Sequence, residues 1–574
     1  MSHPTLYDTA TAAYYFAPSL WSRIAPFDRD GRFLNRALWS LLDDEDVMAA
    51  MMANAATMQH LRYFRVRHTF ELNELRSHSR SSACYWPVIC RVVRAEPFAL
   101  SIALPQLSQC SSLVITTIRR LSNGRWTVRL SPSLTELRLT VTGKVWKELC
   151  EAEFPSVLHR LTIDADVARI GHFTEWLCSP LPPNVHTLNI RTPAWDWPTF
   201  QRLHLTADST QLRSLSDACT YRLLSHLPDI SLLPRSLTEL ALSVAAFSQP
   251  PSALHLPNLH ALRLGATYGV GHVHFLLPIT IDVFAGLPVL RELDLRRAES
   301  FESVRLLPAM LPATLTSLSL PVHYWPSVAR GALPPSLQQL HMAHAADLAG
   351  GAGRLEPSCL PAGLVSFVVE QHRGDDGHMP LPFTHHLSIL PLSIVELRIL
   401  NHAFNHSLEP LTALPHLITL AIDSTSFAQP LEPITRLTQL RTLQLHIDFP
   451  SPLPPLPARL LHLTVRPASG FANNLPRRGY THQLTSAQFA QCTRLELLSI
   501  DADEIDESTS GYVHADRDQQ QQRYPLFDSP IAARVLPASL ERLRLPQHYR
   551  YAWEDVRVCL PEQCRVWLGG ERVR

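Results

Sequence analysis

One short pattern of apolar positions returns along most of the chain. An apolar residue is followed by two free positions, a second apolar residue, one free position and a third apolar residue, as in Leu237, Leu240 and Leu242. The last two alternate with polar residues, as in a β-strand that buries one face. Other copies begin at Cys110, Leu134, Leu158, Val185, Leu212, Leu259, Leu290, Leu315, Leu337, Leu364, Ile394, Leu417, Leu440, Leu460, Leu495 and Leu540. Successive copies start about 25 residues apart, which is typical of a repeat architecture.

A single unit of this size cannot bury three large apolar side chains, so neighbouring units must stack and cover them. The pattern therefore predicts that Leu240, Leu293, Leu318 and Leu420 are buried on parallel strands, whereas Glu292 is exposed. Period and motif resemble those of leucine-rich-repeat proteins. This resemblance implies an α/β repeat solenoid with a continuous parallel β-sheet on its concave side. The 47 prolines disfavour long helices, so we expect a mostly non-helical convex side.

Two further features recur at fixed distances from the strand motif. A Leu-Pro turn such as Leu233–Leu237 precedes many copies, because the fixed φ of proline directs the chain into the strand. An aromatic residue such as Phe404 or Phe427 lies about ten residues after each first leucine, which predicts a second core column. Familiar leucine-rich repeats place an asparagine ladder at the ninth position. That position holds Ala245, Ala298, His402 and Thr425, so we expect no such ladder.

The turns also resemble those of a particular relative. Phe404–Pro410, Phe427–Leu431 and Phe247–Pro250 are similar to the Phe-Asn-x-Pro turn of FNIP repeats. The strand half of that repeat, Leu-Pro-x-Ser-Leu-x-x-Leu, is matched by Leu233–Leu242, Leu333–Leu340 and Leu536–Leu545. The chain thus resembles a degenerate FNIP-repeat protein from about residue 233 to 465 and again near Leu540. Proteins with FNIP-type repeats often carry an F-box before them.

The chain divides into an N-terminal segment and a long repeat region. Residues 1–60 lack the strand motif, and the alanines, methionines and leucines of Val47–Leu61 favour a helix. Two interpretations stay open. In the first, the segment is a short helical cap over the end of the solenoid. In the second, it is an F-box-like module, because Leu41–Ala49 resembles the start of a helix in that module. The repeats fill residues 61–574, with a mobile acidic and Gln-rich insertion predicted at about 501–530.

Composition and motifs exclude several classes of function. The 51 basic and 51 acidic residues cancel, which argues against nucleic acid as a partner. No apolar run is long enough to span a membrane. Met1–Leu20 has no secretory signal, and Cys110 occupies a core leucine site, which favours a cytoplasmic location. The sequence shows no phosphate-binding loop, nucleophile motif or metal-ligand spacing, so we expect no enzyme, no cofactor, no metal site and no catalytic residue.

The outward strand positions carry mixed charge and few aromatic residues, which favours protein as the partner on the concave face. The candidate binding residues are Glu292, Asp294, Arg296, Glu396 and Arg398. The sequence therefore predicts a non-enzymatic protein–protein interaction scaffold. The F-box resemblance implies a substrate-recognition subunit of a ubiquitin ligase, with residues 1–60 holding the ligase adaptor. The alternatives are a secreted or cell-surface recognition protein and a repeat domain that regulates an enzyme.

Overall fold

The fold comes from a computed structural model of the 574-residue chain. The residues that it describes are 66–71, 90–94, 112–118, 134–142, 155–166, 184–191, 211–217, 233–242, 246–247, 254–264, 274–275, 282–296, 298, 301–321, 324, 326, 328–343, 355, 358–370, 386–449, 451–467, 480, 482–500, 527, 529–532, 534–546, 549, 560–568 and 571–572. The cap or F-box-like module of residues 1–60 lies outside these ranges, as does most of the insertion at about 501–530.

Each copy of the apolar motif with described backbone forms one short strand. In chain order the strands are β1 (Val66–Glu71), β2 (Cys90–Arg94), β3 (Ser112–Ile118), β4 (Glu136–Thr142), β5 (Arg160–Asp166), β6 (Thr187–Arg191), β7 (Ser214–Asp217), β8 (Glu239–Leu242), β9 (Ala246–Phe247), β10 (Ala261–Leu264), β11 (His274–Phe275), β12 (Glu292–Asp294), β13 (Ser317–Ser319), β14 (Gln339–Ala343), β15 (Ser366–Glu370), β16 (Glu396–Leu400), β17 (Thr419–Ser424), β18 (Thr442–Ile447), β19 (His462–Arg466), β20 (Leu497–Ile500), β21 (Arg542–Leu545), β22 (Arg565–Leu568) and β23 (Glu571–Arg572).

Helices are short in the described part of the chain. The 3-10 helices are η1 (Leu387–Ile389), η2 (Glu409–Ala413) and η3 (Glu432–Arg436), and the α-helix is α1 (Ser486–Phe489). Proline lies in the first turn of η2 and of η3, where its missing N–H group has no helical partner to lose. The expected, mostly non-helical connections are therefore confirmed for these residues.

The chain forms two compact units. The first consists of Met1–Gln249, Ala253–Leu259 and Gly265–His272, and the second of Pro250–Ser252, His260–Leu264 and Val273–Arg574. In the first unit, β3 to β8 pair in chain order and parallel. In the second, β10 pairs with β12, and every following strand up to β22 pairs with the next in parallel. This one-strand-per-repeat ladder confirms the leucine-rich-repeat fold class.

In the second unit, the inward leucines form continuous columns because β10 and β12 to β22 pair without a shift. Leu293 on β12 lies opposite Leu318 on β13, and Leu318 lies opposite Leu340 on β14. Leu240, Leu293, Leu318 and Leu420 expose at most 2% of their surface. Glu292, beside Leu293, is exposed. The predicted register is confirmed, and it fixes which residues face outward on every strand.

In five turns, the serine or threonine of the Leu-Pro-x-Ser-Leu motif links a repeat to the one before it. The Ser236 hydroxyl donates a hydrogen bond to the carbonyl of Leu212 at 2.7 Å, and the Ser393 hydroxyl donates to Leu364 at 2.6 Å. The hydroxyls of Thr314, Ser336 and Ser539 bind the first leucine of the preceding repeat in the same way. The carbonyl of an otherwise unpaired turn is thereby satisfied. Gly363 occupies this position in the turn before β15 and has no hydroxyl to donate.

The predicted aromatic column is present behind the strands. Phe404 and Phe427 are buried and stack with ring centroids 5.9 Å apart. Phe301 and Phe449 are buried at the corresponding positions of their repeats. Tyr480 and Phe527, which the sequence pattern does not predict, continue the column with stacked rings. Aromatic packing therefore stabilises the turn side of the second unit.

Two polar side chains are buried one position before the site of the familiar asparagine ladder. Asn401 and Ser424 occupy the eighth positions of neighbouring repeats and are fully buried. The Ser424 hydroxyl donates to the carbonyl of Phe404 at 2.7 Å, and the Asn401 side-chain oxygen accepts from the amide of Ala403 at 3.1 Å. His402 and Thr425, at the ninth position, are not fully buried. The Thr425 hydroxyl also donates to the His402 carbonyl at 3.0 Å, so hydroxyl side chains link these two repeats at both positions.

Candidate functional site

The outward side chains of β10 and of β12 to β22 form one surface of the second unit, the strand face. They alternate with the inward leucines, so their spacing along each strand and between strands is set by the ladder. All five candidate residues lie on this surface: Glu292, Asp294 and Arg296 on and just after β12, and Glu396 and Arg398 on β16. Their predicted outward orientation is confirmed.

The charges near β12 are paired with neighbouring side chains. The Arg296 guanidinium donates to both carboxylate oxygens of Asp294, with Nε–Oδ1 at 3.0 Å and Nη2–Oδ2 at 2.7 Å. This hydrogen bond raises the pKa of Arg296. Partial burial lowers the pKa, and attraction to Asp294 and Glu370 raises it further. Glu292 faces Arg263 on β10, with its Oε2 3.8 Å from the Arg263 Nη2. The β12 group is therefore locally neutralised.

The charges on β16 repeat this arrangement. The Arg398 Nε donates to the Glu396 Oε1 at 2.7 Å, and the Ser366 hydroxyl on β15 donates to the other Glu396 oxygen at 2.9 Å. The Arg398 side chain remains 45% exposed and that of Glu396 32% exposed. A partner can therefore still reach both groups, although each already has a counter-ion.

The five candidate residues lie in two groups on strands that are not neighbours. The strands β13, β14 and β15 lie between β12 and β16, and at about 4.8 Å per strand the two groups are about 19 Å apart. Between them, the His341 Nε2 lies 3.0 Å from a Glu370 oxygen. The charged centre that the sequence predicts is therefore divided between two strands, and its role in binding stays a prediction. We call these five residues the central charged groups.

Acidic residues face histidines on the strands that follow. The His446 Nδ1 lies 3.6 Å from an Asp423 oxygen, and the His462 Nε2 lies 3.9 Å from a Glu496 oxygen. Thr464 and Ser499, which are outward residues of β19 and β20, expose only 6% and 1% of their surface. This stretch of the strand face is consequently less accessible than the central charged groups.

Arginines dominate the outward positions of the last parallel strands. Arg542 and Arg544 flank the buried Leu543 on β21, and Arg565 on β22 lies directly opposite Arg542. Trp567 lies opposite Arg544, whose guanidinium carbon is 5.9 Å from the centroid of its ring. We call Arg542, Arg544, Arg565 and Trp567 the arginine end. Sequence reasoning missed it, although the alternation Arg-Leu-Arg-Leu at 542–545 marks two outward arginines on one strand.

Groups suited to catalysis or metal binding are scarce. No cluster of three or more histidine, cysteine or acidic side chains that could hold a metal ion occurs among the described residues. Burial raises the pKa of the Cys492 thiol to about 11, so this thiol is protonated at neutral pH and is a poor nucleophile. Within the described ranges, no helix is both long and apolar enough to cross a membrane.

The sequence matches no protein-family model and no curated protein. Among solved structures, the chain is similar to the circular leucine-rich-repeat protein CroV588, at 15% identity over 84% of this chain and 69% of that one, with a TM-score of 0.34. It is also similar to TLR13 in its complex with ssRNA13, at 15% identity, 84% and 73% coverage and a TM-score of 0.41. A third similar structure is YopM from Yersinia enterocolitica WA-314, at 16% identity, 84% and 74% coverage and a TM-score of 0.27. Identities of this size carry no function over to this chain.

Proposed function

We propose that the chain is a non-enzymatic scaffold that binds a protein partner on its strand face. One observation carries the proposal: charged outward side chains are held in a fixed register on neighbouring parallel strands above a uniform leucine core. Groups held by a rigid sheet lose little conformational freedom on binding, and their charge pattern selects the partner.

The central charged groups favour a protein over a uniformly charged polymer. Arg296 and Asp294 present both signs within one strand, and Arg398 and Glu396 do the same on β16. A polyanion would meet a carboxylate beside each arginine and would be repelled there. A protein surface, which carries both signs, can match this alternation.

The experiment exchanges the charges within each pair. One variant combines Asp294→Arg, Arg296→Asp, Glu396→Arg and Arg398→Glu, so net charge and pairing persist while the pattern shown to a partner is inverted. A partner purified with the wild-type chain should bind this variant roughly tenfold more weakly or worse, because charge-assisted hydrogen bonds are lost. The urea unfolding midpoint should stay close to that of the wild type.

The control makes the same exchange on the turn side of the second unit. Glu409 on η2 and Arg436 on η3 form an exposed ion pair, with side chains 57% and 55% exposed. The double variant Glu409→Arg with Arg436→Glu should bind the partner like the wild type. If this control loses the partner while the strand-face variant keeps it, the binding surface is the turn side and the proposal is wrong.

A more specific role follows from the F-box resemblance. We propose that residues 1–60 hold a ubiquitin-ligase adaptor while the strand face holds the substrate. The support is the resemblance of Leu41–Ala49 to the helix start of that module. Co-precipitation with the adaptor should be lost in the double variant Leu41→Ala with Leu42→Ala, while binding of the strand-face partner persists. Absence of the adaptor from wild-type precipitates contradicts this role.

The scaffold is proposed to act in the cytoplasm. Cys492 lies in the core as a thiol, which suits a reducing compartment. Thiol titration of the unfolded, unreduced chain should count all ten cysteines. A lower count indicates disulfides and favours the secreted or cell-surface alternative.

A further inference from the structure

The arginine end brings like charges together across two neighbouring strands. Arg542 and Arg565 are direct partners in the parallel register, and Arg544 lies two residues further along β21. Neighbouring strands are about 4.8 Å apart, well within the Debye length of about 8 Å at physiological salt. The arginines are therefore attached to the sheet within the range at which like charges repel one another.

Described carboxylates do not compensate this repulsion. In the part of the chain that the structure describes, none of Arg542, Arg544 and Arg565 has a carboxylate oxygen within 4.0 Å. The acidic residues nearest to the cluster along the chain are Glu541, beside Arg542, and Glu562 and Glu571, which lie three and six residues from Arg565. Like charges directly opposite each other destabilise a sheet. Packing alone therefore gives no reason for this arrangement.

The chemistry of the cluster suits carboxylate groups. A guanidinium offers planar N–H donors that match the two oxygens of a carboxylate, and such charge-assisted hydrogen bonds are among the stronger ones in proteins. The ring of Trp567 holds the Arg544 guanidinium through a cation–π contact and restricts its motion. Trp567 and Arg544 are only partly buried, and Arg565 is exposed, so a ligand can reach the group.

We propose that the arginine end binds an acidic peptide segment of a protein partner. A nucleic acid fits less well, because single-strand binding uses successive aromatic rings along a basic track. Here Trp567 is the one ring of the cluster, and the neighbouring strand face carries both signs of charge. The inference rests on the proposed role of the strand face in protein binding, but its residues are distinct from the central charged groups.

The test uses the full chain and a fluorescently labelled octaglutamate peptide, followed by anisotropy at low salt. The variant Arg565→Glu should bind the peptide roughly tenfold more weakly or worse, as expected for the loss of hydrogen bonds between charged groups. Its urea unfolding midpoint should rise, because the repulsion across β21 and β22 becomes an attraction. Weaker binding with higher stability is a combination that a merely structural arginine does not produce.

The matched control is Arg494→Glu, which changes net charge equally in an exposed turn before β20. It should leave the peptide affinity within about twofold of wild type, since an exposed charge in the turn, outside the strand face, acts weakly. An equal loss in both variants means non-specific attraction and overturns the site.

Tighter binding of an eight-nucleotide thymidine oligonucleotide than of octaglutamate overturns the assignment of the ligand class. If wild type does not bind octaglutamate, the arginine end is not an acid-binding site, whereas the exchange of the central pairs still tests the scaffold role separately.

Discussion

The central charged groups and the arginine end lie on the same strand face, but their arginines have different neighbours. On β12, Asp294 neutralises Arg296 two residues away, whereas Arg542 on β21 faces Arg565 on β22. The core beneath them is the same, since Leu293 and Leu543 are both buried on paired parallel strands. The comparison shows that the ladder fixes where outward side chains lie and leaves their charge free to vary from repeat to repeat.

The largest expected effect tests whether the two regions share one core. Leu293→Ala and Leu543→Ala should each lower the free energy of unfolding by about 2–5 kcal/mol, because each removes a fully buried side chain from a leucine column. Glu292→Ala and Arg544→Ala, at neighbouring outward positions, should change it by less than about 1 kcal/mol. Urea unfolding of the full chain measures all four values. Equal midpoints for Leu293→Ala and Glu292→Ala contradict the register on β12.

The sequence predicts the features that depend on residues close together along the chain, and it does not predict those that depend on side-chain conformation or strand pairing. Inward leucines follow from a local period, so the sequence correctly predicts that Leu293 and Leu420 are buried. The pairing of Asp294 with Arg296 depends on side-chain conformations that no period encodes. The opposition of Arg542 and Arg565 depends on the pairing register of β21 with β22, and a local pattern does not give that register.

A second, smaller effect concerns the turns that precede the strands in the two regions. Ser539 binds the Leu495 carbonyl before β21, whereas Gly363 lacks this hydrogen bond before β15. A Cβ at Gly363 would lie 3.6 Å from the Pro335 oxygen, which is an ordinary contact. Gly363→Ser should raise the free energy of unfolding by about 0.5–1 kcal/mol through a stiffer unfolded chain and a new hydrogen bond. Ser539→Ala should lower it by about 1 kcal/mol.

Gly331 provides the control for this substitution. Its φ of 78° lies in the left-handed region, so Gly331→Ser should destabilise the protein although no atom lies within 4 Å of the added Cβ. Thermal or urea unfolding distinguishes the two glycines. If both serine variants lose stability, the added hydroxyl does not stabilise the turn before β15.

The smallest expected effect is a change in the free energy of unfolding that has opposite signs in the two regions. Asp294→Asn removes the counter-ion of Arg296 and should lower the free energy of unfolding by about 0.2–1 kcal/mol, as for other exposed pairs. Arg565→Glu places a carboxylate opposite Arg542 and should raise it by about 0.2–1 kcal/mol. Both effects are electrostatic between partly exposed groups, so both should shrink when the salt concentration rises to about 1 M, where the Debye length falls to about 3 Å. Urea midpoints at low and high salt give the two signs directly. If Arg565→Glu destabilises the protein at low salt, the arginines of β21 and β22 do not repel each other, and the contrast between the two regions disappears.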